Sequence, residues 1–141
     1  MIIRDATAEE WPAVEALLRA CALPTDGARE NLAHFVVCET DGIAGCAGAE
    51  VFGEAALLRS VAVRADARGS GIADKLTATV LARLEARKVA TVAMLTTTAE
   101  SYFAARGFVA VAREELPSSL NASTELKGTC PATAVAMLLR L

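Results

Sequence analysis

The stretch "VAVRADARGSGIADKL", residues 61 to 76, limits the fold more than any other part of the chain. An apolar β-branched run ends in a cluster of arginine, small residues and glycine, and an apolar pattern at helical spacing follows directly. Ile72, Leu76, Val80 and Leu84 recur at every fourth position. A strand, a glycine-bearing loop and a helix are therefore consecutive, with the helix expected over about Gly71 to Arg87. The first-turn amides of such a helix lack intrahelical partners, and together with the helix dipole they attract an anion. Gly69, Gly71 and Ala73 keep large side chains out of its way. The spacing is neither that of a G-x-x-x-x-G-K-S/T phosphate loop nor that of a G-x-G-x-x-G dinucleotide fingerprint, so a different phosphate-bearing ligand is expected. The other reading is a helix start that simply tolerates glycine.

The remaining chain reads as alternating short strands and helices. "MIIRDA" predicts a strand, and Thr7 with Glu10 has the spacing of a capping box. Trp11, Val14, Leu17, Leu18 and Cys21 then share one helical face. A shorter helical stretch is expected around Ala28 to Leu32, after the break at "LPTDG". Asp41-Gly42 is a hairpin turn between "HFVVCET" and "IAGCAGAEVF". "EAALLRSVAV" predicts a strand buried on both faces and interrupted only by Arg59 and Ser60. "VATVAMLTTT" restarts a strand, "AESYFAARGF" reads as a helix stopped at Gly107, and "FVAVAR" and "AVAMLLRL" close the chain as strands around a looped stretch with Pro117 and Pro131.

With 141 residues, no internal repeat and no low-complexity linker, a single domain over residues 1–141 is expected. The 14 basic against 17 acidic side chains, without a basic run, argue against a nucleic-acid partner. Charges at Arg4 and Asp5 interrupt the first residues, and no apolar run is long enough to span a bilayer, which points to a cytoplasmic protein without a membrane partner. Cys21, Cys38, Cys46 and Cys130 form no C-x-x-C pair, so isolated thiols are expected, with neither disulfide nor metal site.

The run Arg68-Gly69-Ser70-Gly71-Ile72-Ala73, between its strand and helix, resembles the R/Q-x-x-G-x-G/A signature of the GNAT superfamily of acyl-CoA N-acyltransferases. The resemblance covers nearly the whole chain. It implies an α/β fold in which a mixed, mostly antiparallel sheet of about six or seven strands is flanked by about four helices, with a splayed V between two central parallel strands. It implies acetyl-CoA as the cofactor: the amides of residues 68–73 on the pyrophosphate of coenzyme A, and the main chain of Val61, Ala62 and Val63 on its pantetheine arm. "ALLRSVAV", "LTTTAESYFAARGF" and "TCPATA" are most similar to arsenic-resistance N-acetyltransferases of the ArsN type, and the last two also resemble the acetyltransferase domain of N-acetylglutamate synthase. Both imply a small-molecule acceptor with an amine beside a carboxylate, an arsenical or phosphinic glutamate analogue included. Oligomeric state is left open, a homodimer among the options.

One position departs from the family pattern. Many members have a tyrosine four residues before the Gly-Phe pair, near the coenzyme A sulfur, where its hydroxyl protonates the leaving thiolate. Here that cofactor-side position is Phe103, and Tyr102 lies about 100° around the helix. A thiolate of ordinary pKa near 8.5 leaves tolerably without such an acid. For the base, Glu50 inside the small apolar strand "GCAGAEVF" is the candidate, the alternative being a side chain on the solvent face. Arg59 is expected either to grip an acceptor carboxylate with its planar guanidinium or to form a structural ion pair. Ser60, Thr96, Thr97 and Cys130 complete the candidate acceptor site, although strand-end threonines also serve as caps. His34 is not assigned a catalytic role. A coenzyme A-binding sensor without turnover stays as the alternative to an enzyme.

Overall fold

The computed structural model describes residues 1–129 and 133–141. Seven strands form one mixed sheet: β1 (Ile2–Asp5), β2 (Phe35–Glu39), β3 (Ile43–Phe52), β4 (Ala55–Val63), β5 (Thr91–Thr96), β6 (Val109–Val111) and β7 (Val135–Arg140). Their spatial order is β1-β2-β3-β4-β5-β7-β6. All neighbours are antiparallel except β4 and β5, which run parallel. This is the fold class implied by the GNAT resemblance. The helices are α1 (Trp11–Ala20), α2 (Ile72–Ala86) and α3 (Glu100–Ala104), joined by 3-10 turns. Among the described residues, no helix is long and apolar enough to cross a membrane.

The two long helices cover opposite faces of the sheet. Trp11, Val14, Leu17 and Leu18 of α1 pack with Phe35 and Val37, whereas Leu76, Val80 and Leu84 of α2 pack with Val36 and Cys38. The period-two alternation of β2 supplies both faces. The run of glycine and alanine in β3 has a steric cause: a Cβ on Gly48 would lie 2.3 Å from the Phe35 ring. α1 is introduced by a short turn in which the Glu10 carboxylate accepts the Thr7 backbone N–H at 2.9 Å.

Three local departures follow from packing and chain geometry. The stretch near Ala28 is a 3-10 helix over Arg29–His34. The "AESYFAARGF" helix is a single five-residue segment, Glu100–Ala104, followed by a turn in which Gly107 has φ +96° and the Phe108 N–H donates to the Phe103 carbonyl at 3.1 Å. The segment between β6 and β7 is built of 3-10 turns at Arg113–Glu115 and Ser118–Ala122 and a π turn at Glu125–Thr129. Cys130 and Pro131 lie outside the described residues.

A candidate active-site cleft at the β4–β5 splay

Strands β4 and β5 pair only through Ala55↔Thr91, Ala56↔Val92 and Leu57↔Ala93. Beyond Leu57 the two strands have no partner in each other, although β4 continues to Val63 and β5 to Thr96. A cleft of about 610 Å³ opens there. Its walls include Arg59, Ser60, Val61, Ala62, Val63, Arg68, Thr96, Thr97 and Phe103, so the two strand ends, the loop arginine and the α3 phenylalanine expected from the sequence meet around one space.

The β4 wall is distorted as well as unpaired. Cys46 faces Ala62 and Gly48 faces Arg59, so β4 carries one extra residue over this interval, a β-bulge. Ser60, at the bulge, has φ +60°, a left-handed conformation that costs a non-glycine residue of order 1 kcal/mol or more. Its side chain is held by the Arg59 Nε–H, which donates to Ser60 Oγ at 3.0 Å.

Arg68, in the cleft wall, leads directly into the start of α2. Gly69 (φ +86°) and Gly71 (φ +82°) both occupy the left-handed region, and a Cβ on either would meet no atom within 4 Å. The glycines are therefore required by backbone conformation, and the space beside them is open to a ligand. Ser70 Oγ donates to the Ala67 carbonyl at 2.8 Å, and Arg68 Nε donates to the Val63 carbonyl at 3.0 Å, which ties the loop to the end of β4. Asp74, in the first helical turn, would oppose an anion there. Its carboxylate is instead neutralised by Arg106, which donates to Asp74 Oδ1 through Nε at 2.9 Å, and its pKa is held down first by the Tyr102 hydrogen bond and then by Arg106.

Tyr102 therefore belongs to this clasp between α2 and α3. Its hydroxyl donates to Asp74 at 2.5 Å, the Arg106 guanidinium sits 3.5 Å from its ring centroid, and burial followed by the Asp74 bond raises its pKa. Phe103 lines the cleft and Tyr102 does not. The one-residue offset along the helix separates the two side chains as the 100° step requires.

Around Arg59 lies a buried charge cluster. Glu50 is 3% exposed, which removes the solvent-facing reading, and its Oε2 accepts Arg59 Nη1–H at 2.8 Å and the Ser123 hydroxyl at 3.2 Å. The Arg59 side chain is fully buried, and its Nη2–H donates to the Pro24 carbonyl at 3.3 Å. Glu125 approaches Arg59 Nε at 3.5 Å, beyond the usual range of a charge-assisted hydrogen bond. Glu50 borders a second cavity, of about 690 Å³, on the side of α1, whereas Glu125 lines the cleft itself. Sequence reading missed Glu125 and Ser123 because both lie in an irregular segment without periodicity. Thr96 Oγ1 accepts the Ala99 N–H at 2.9 Å, the capping geometry, while Thr97 is exposed at the rim. Cys21 is half-buried in the wall beside Arg68, and His34 lies outside the cleft, its pKa lowered by burial.

Residues 30–110 match the family described as Acetyltransferase (GNAT) domain. No curated protein sequence matches the chain. Among solved structures, the chain is similar to N-acetylglutamate synthase from Neisseria gonorrhoeae, complexed with coenzyme A and N-acetyl-glutamate, with TM-score 0.84 and 22% identity over 99% of this chain and 35% of that one. The chain thus spans about a third of that protein's length. It is similar to Rv2747 from Mycobacterium tuberculosis, solved in complex with CoA, with TM-score 0.83 and 20% identity over 100% of this chain and 99% of that one. A GNAT-family acetyltransferase from Staphylococcus aureus gives TM-score 0.82 and 16% identity, covering 99% and 98%. At these identities the likeness is one of fold. The matched region includes the parallel pair, its splay, the glycine loop at the head of α2 and Phe103, and on that match the chain belongs to the GNAT acetyltransferase family.

Proposed function

We propose that the protein is an acetyl-CoA-dependent N-acetyltransferase acting on the amine of a small amino-acid-like acceptor. The observation that carries the reading is the cleft between the parted ends of β4 and β5, whose wall includes Val61, Ala62, Val63 and Arg68, the last of these directly preceding a helix start whose two left-handed glycines face open space. The first amides of α2, at Ile72 and Ala73, together with those of residues 68–71, hold the pyrophosphate, and the main chain of Val61, Ala62 and Val63 runs along the pantetheine arm. Bound acetyl-CoA supplies an acyl thioester, already activated toward an amine. Phe103 shields the sulfur from water, and the thiolate leaves without a tyrosine acid.

The acceptor occupies the end bounded by Arg59, Ser60, Thr96 and Thr97, to which Cys130 is assigned by the sequence. Glu50 fixes the Arg59 guanidinium and is the base expected from the sequence. Support for an acceptor with an amine beside a carboxylate comes from the similar N-acetylglutamate synthase, solved with N-acetyl-glutamate, and an arsenical or phosphinic analogue of glutamate has the same two groups. A second reading, a coenzyme A sensor without turnover, is favoured by Phe103 at the tyrosine position and by the engagement of Tyr102 with Asp74.

The two readings separate in one assay. Acetyl-CoA is incubated with amino acids and with their arsenical and phosphinic analogues, and free-thiol release is followed. Acceptor-dependent release is the expected result; coenzyme A binding with no release above the acceptor-free rate across the panel would favour the sensor.

A further inference from the structure

We infer that Arg106 is a positioning residue for the cofactor: it sets the strength of coenzyme A binding without touching the ligand, by cancelling the charge of Asp74 at the head of α2. The inference rests on the reading of that helix start as the pyrophosphate site. Asp74 is the third residue of α2, which begins at Ile72. An acid in the first turn suits the helix dipole of the free protein, but it becomes a like charge beside two phosphates once they are bound. An acid placed there therefore weakens the site unless a cation stays beside it.

The geometry keeps that cation in place and leaves it no reach for a ligand of its own. Arg106 donates to Asp74 Oδ1 through Nε at 2.9 Å and through Nη2 at 2.5 Å, and its Nη1 donates to the Tyr102 carbonyl at 2.7 Å. Its guanidinium carbon lies 3.5 Å from the Tyr102 ring centroid. Every nitrogen of the guanidinium is thus engaged inside the clasp. The Tyr102 hydroxyl donates to the same Asp74 oxygen at 2.5 Å, and this bond, followed by those from Arg106, lowers the Asp74 pKa. The carboxylate therefore stays ionised, and its charge is matched by a neighbour and not removed by protonation. Arg106 is itself fixed by the chain, its backbone N–H donating to the Phe103 carbonyl at 3.0 Å in the turn after α3. Neither Asp74 nor Arg106 belongs to the cleft wall, so the pair acts on the site through its field.

The test is calorimetric titration of coenzyme A into four proteins at low ionic strength, each checked by a thermal melt. Affinity should follow the net charge of the pair. Asp74→Asn leaves a net positive charge, since the Tyr102 carbonyl and ring still hold Arg106, and should bind about fivefold more tightly than the wild type. Arg106→Gln leaves a net negative charge and should bind about fivefold more weakly. The double variant is neutral like the wild type and should return to within about twofold of it. Arg68 and Lys75 are the same in all four, so the comparison isolates the pair. At about 1 M salt, where the screening length falls to about 3 Å, the ratios should shrink toward one.

A clasp that only holds α3 in place predicts weaker binding in all three variants, and an arginine that grips phosphate directly predicts a double variant as weak as Arg106→Gln. Either pattern overturns the inference, as do unchanged affinities in both single variants or ratios that persist at high salt. Where Arg106→Gln does not fold, Asp74→Asn decides alone: tighter binding supports the inference, and equal or weaker binding overturns it. Failure of coenzyme A to bind the wild type overturns the cofactor reading instead.

Discussion

Arg59 joins four chain segments through one guanidinium: Glu50 of β3, its own neighbour Ser60, the Pro24 carbonyl after α1, and Glu125 of the π turn. A lysine at this position keeps the charge but not the planar fork, so the Ser60 and Pro24 acceptors lose their donors. Arg59→Lys is expected to lower stability by about 1–3 kcal/mol, the cost of leaving buried polar groups unpaired, while acetyl-CoA affinity changes by no more than a few-fold. Urea unfolding beside calorimetry checks this; an unchanged midpoint combined with a raised acceptor KM would instead assign the guanidinium to substrate. Tyr102 gives a second test. Because its hydroxyl is bound to Asp74 and only its neighbour Phe103 lines the cleft, Tyr102→Phe should leave the steady-state rate within a few-fold of wild type. A loss of about 100-fold or more, the scale of general-acid catalysis, would make Tyr102 the acid.

The elements differ in how far their causes are local. The entry to α1 is local: Glu10 accepts the Thr7 N–H and is gripped by Arg4 through two hydrogen bonds, at 2.9 and 2.6 Å. The Arg4 bond above all holds the Glu10 pKa at about 2, against an ordinary 4.5. A depressed carboxylate pKa gives stability that is fully present above the unfolded value and lost as pH falls through the folded one. Stability measured by urea unfolding should therefore decline from about pH 4.5 toward pH 2, and Glu10→Gln should flatten that decline; an identical acid limb in the variant would contradict it. This capping spacing, the fourfold apolar repeat of α2 and the Asp41-Gly42 hairpin are short-range features, and all were legible in the sequence. The brevity of α3 and the 3-10 form of Arg29–His34 were not, since helical spacing in a short segment fixes neither the length of the helix nor its hydrogen-bond pattern. The glycines of β3 are an intermediate case: their abundance is visible, but the cause at Gly48 is the Phe35 ring from the neighbouring strand.

At the scale of the molecule, the cofactor side of the candidate site was legible and the acceptor side only partly so. Residues 61–73 form a continuous strand, loop and helix start, so their sequence order is also their spatial order. The proposed acceptor end is assembled from β3, β4, the loop after α1 and the irregular segment before β7; the β3–β4 hairpin pairs Glu50 with Arg59, and only contacts at long sequence separation bring Ser123 and Glu125 to them. The neutralisation of Asp74 by Arg106 has the same origin: the sequence shows an acid in the first turn of the helix proposed to bind the anion, and only the fold supplies its counterion. The central claim is that this helix start holds the pyrophosphate of acetyl-CoA. The measurement that bears on it most directly is calorimetric titration of acetyl-CoA into the wild type and into Gly71→Glu, with a thermal melt to establish that the variant is folded. Residue 71 has left-handed φ and open space beside it, so glutamate there adds backbone strain, bulk and a negative charge at the phosphate position. The expected result is measurable binding to the wild type and a loss of about 100-fold or more in the variant, about 2.7 kcal/mol; a folded Gly71→Glu protein that binds acetyl-CoA as tightly as the wild type would contradict the account.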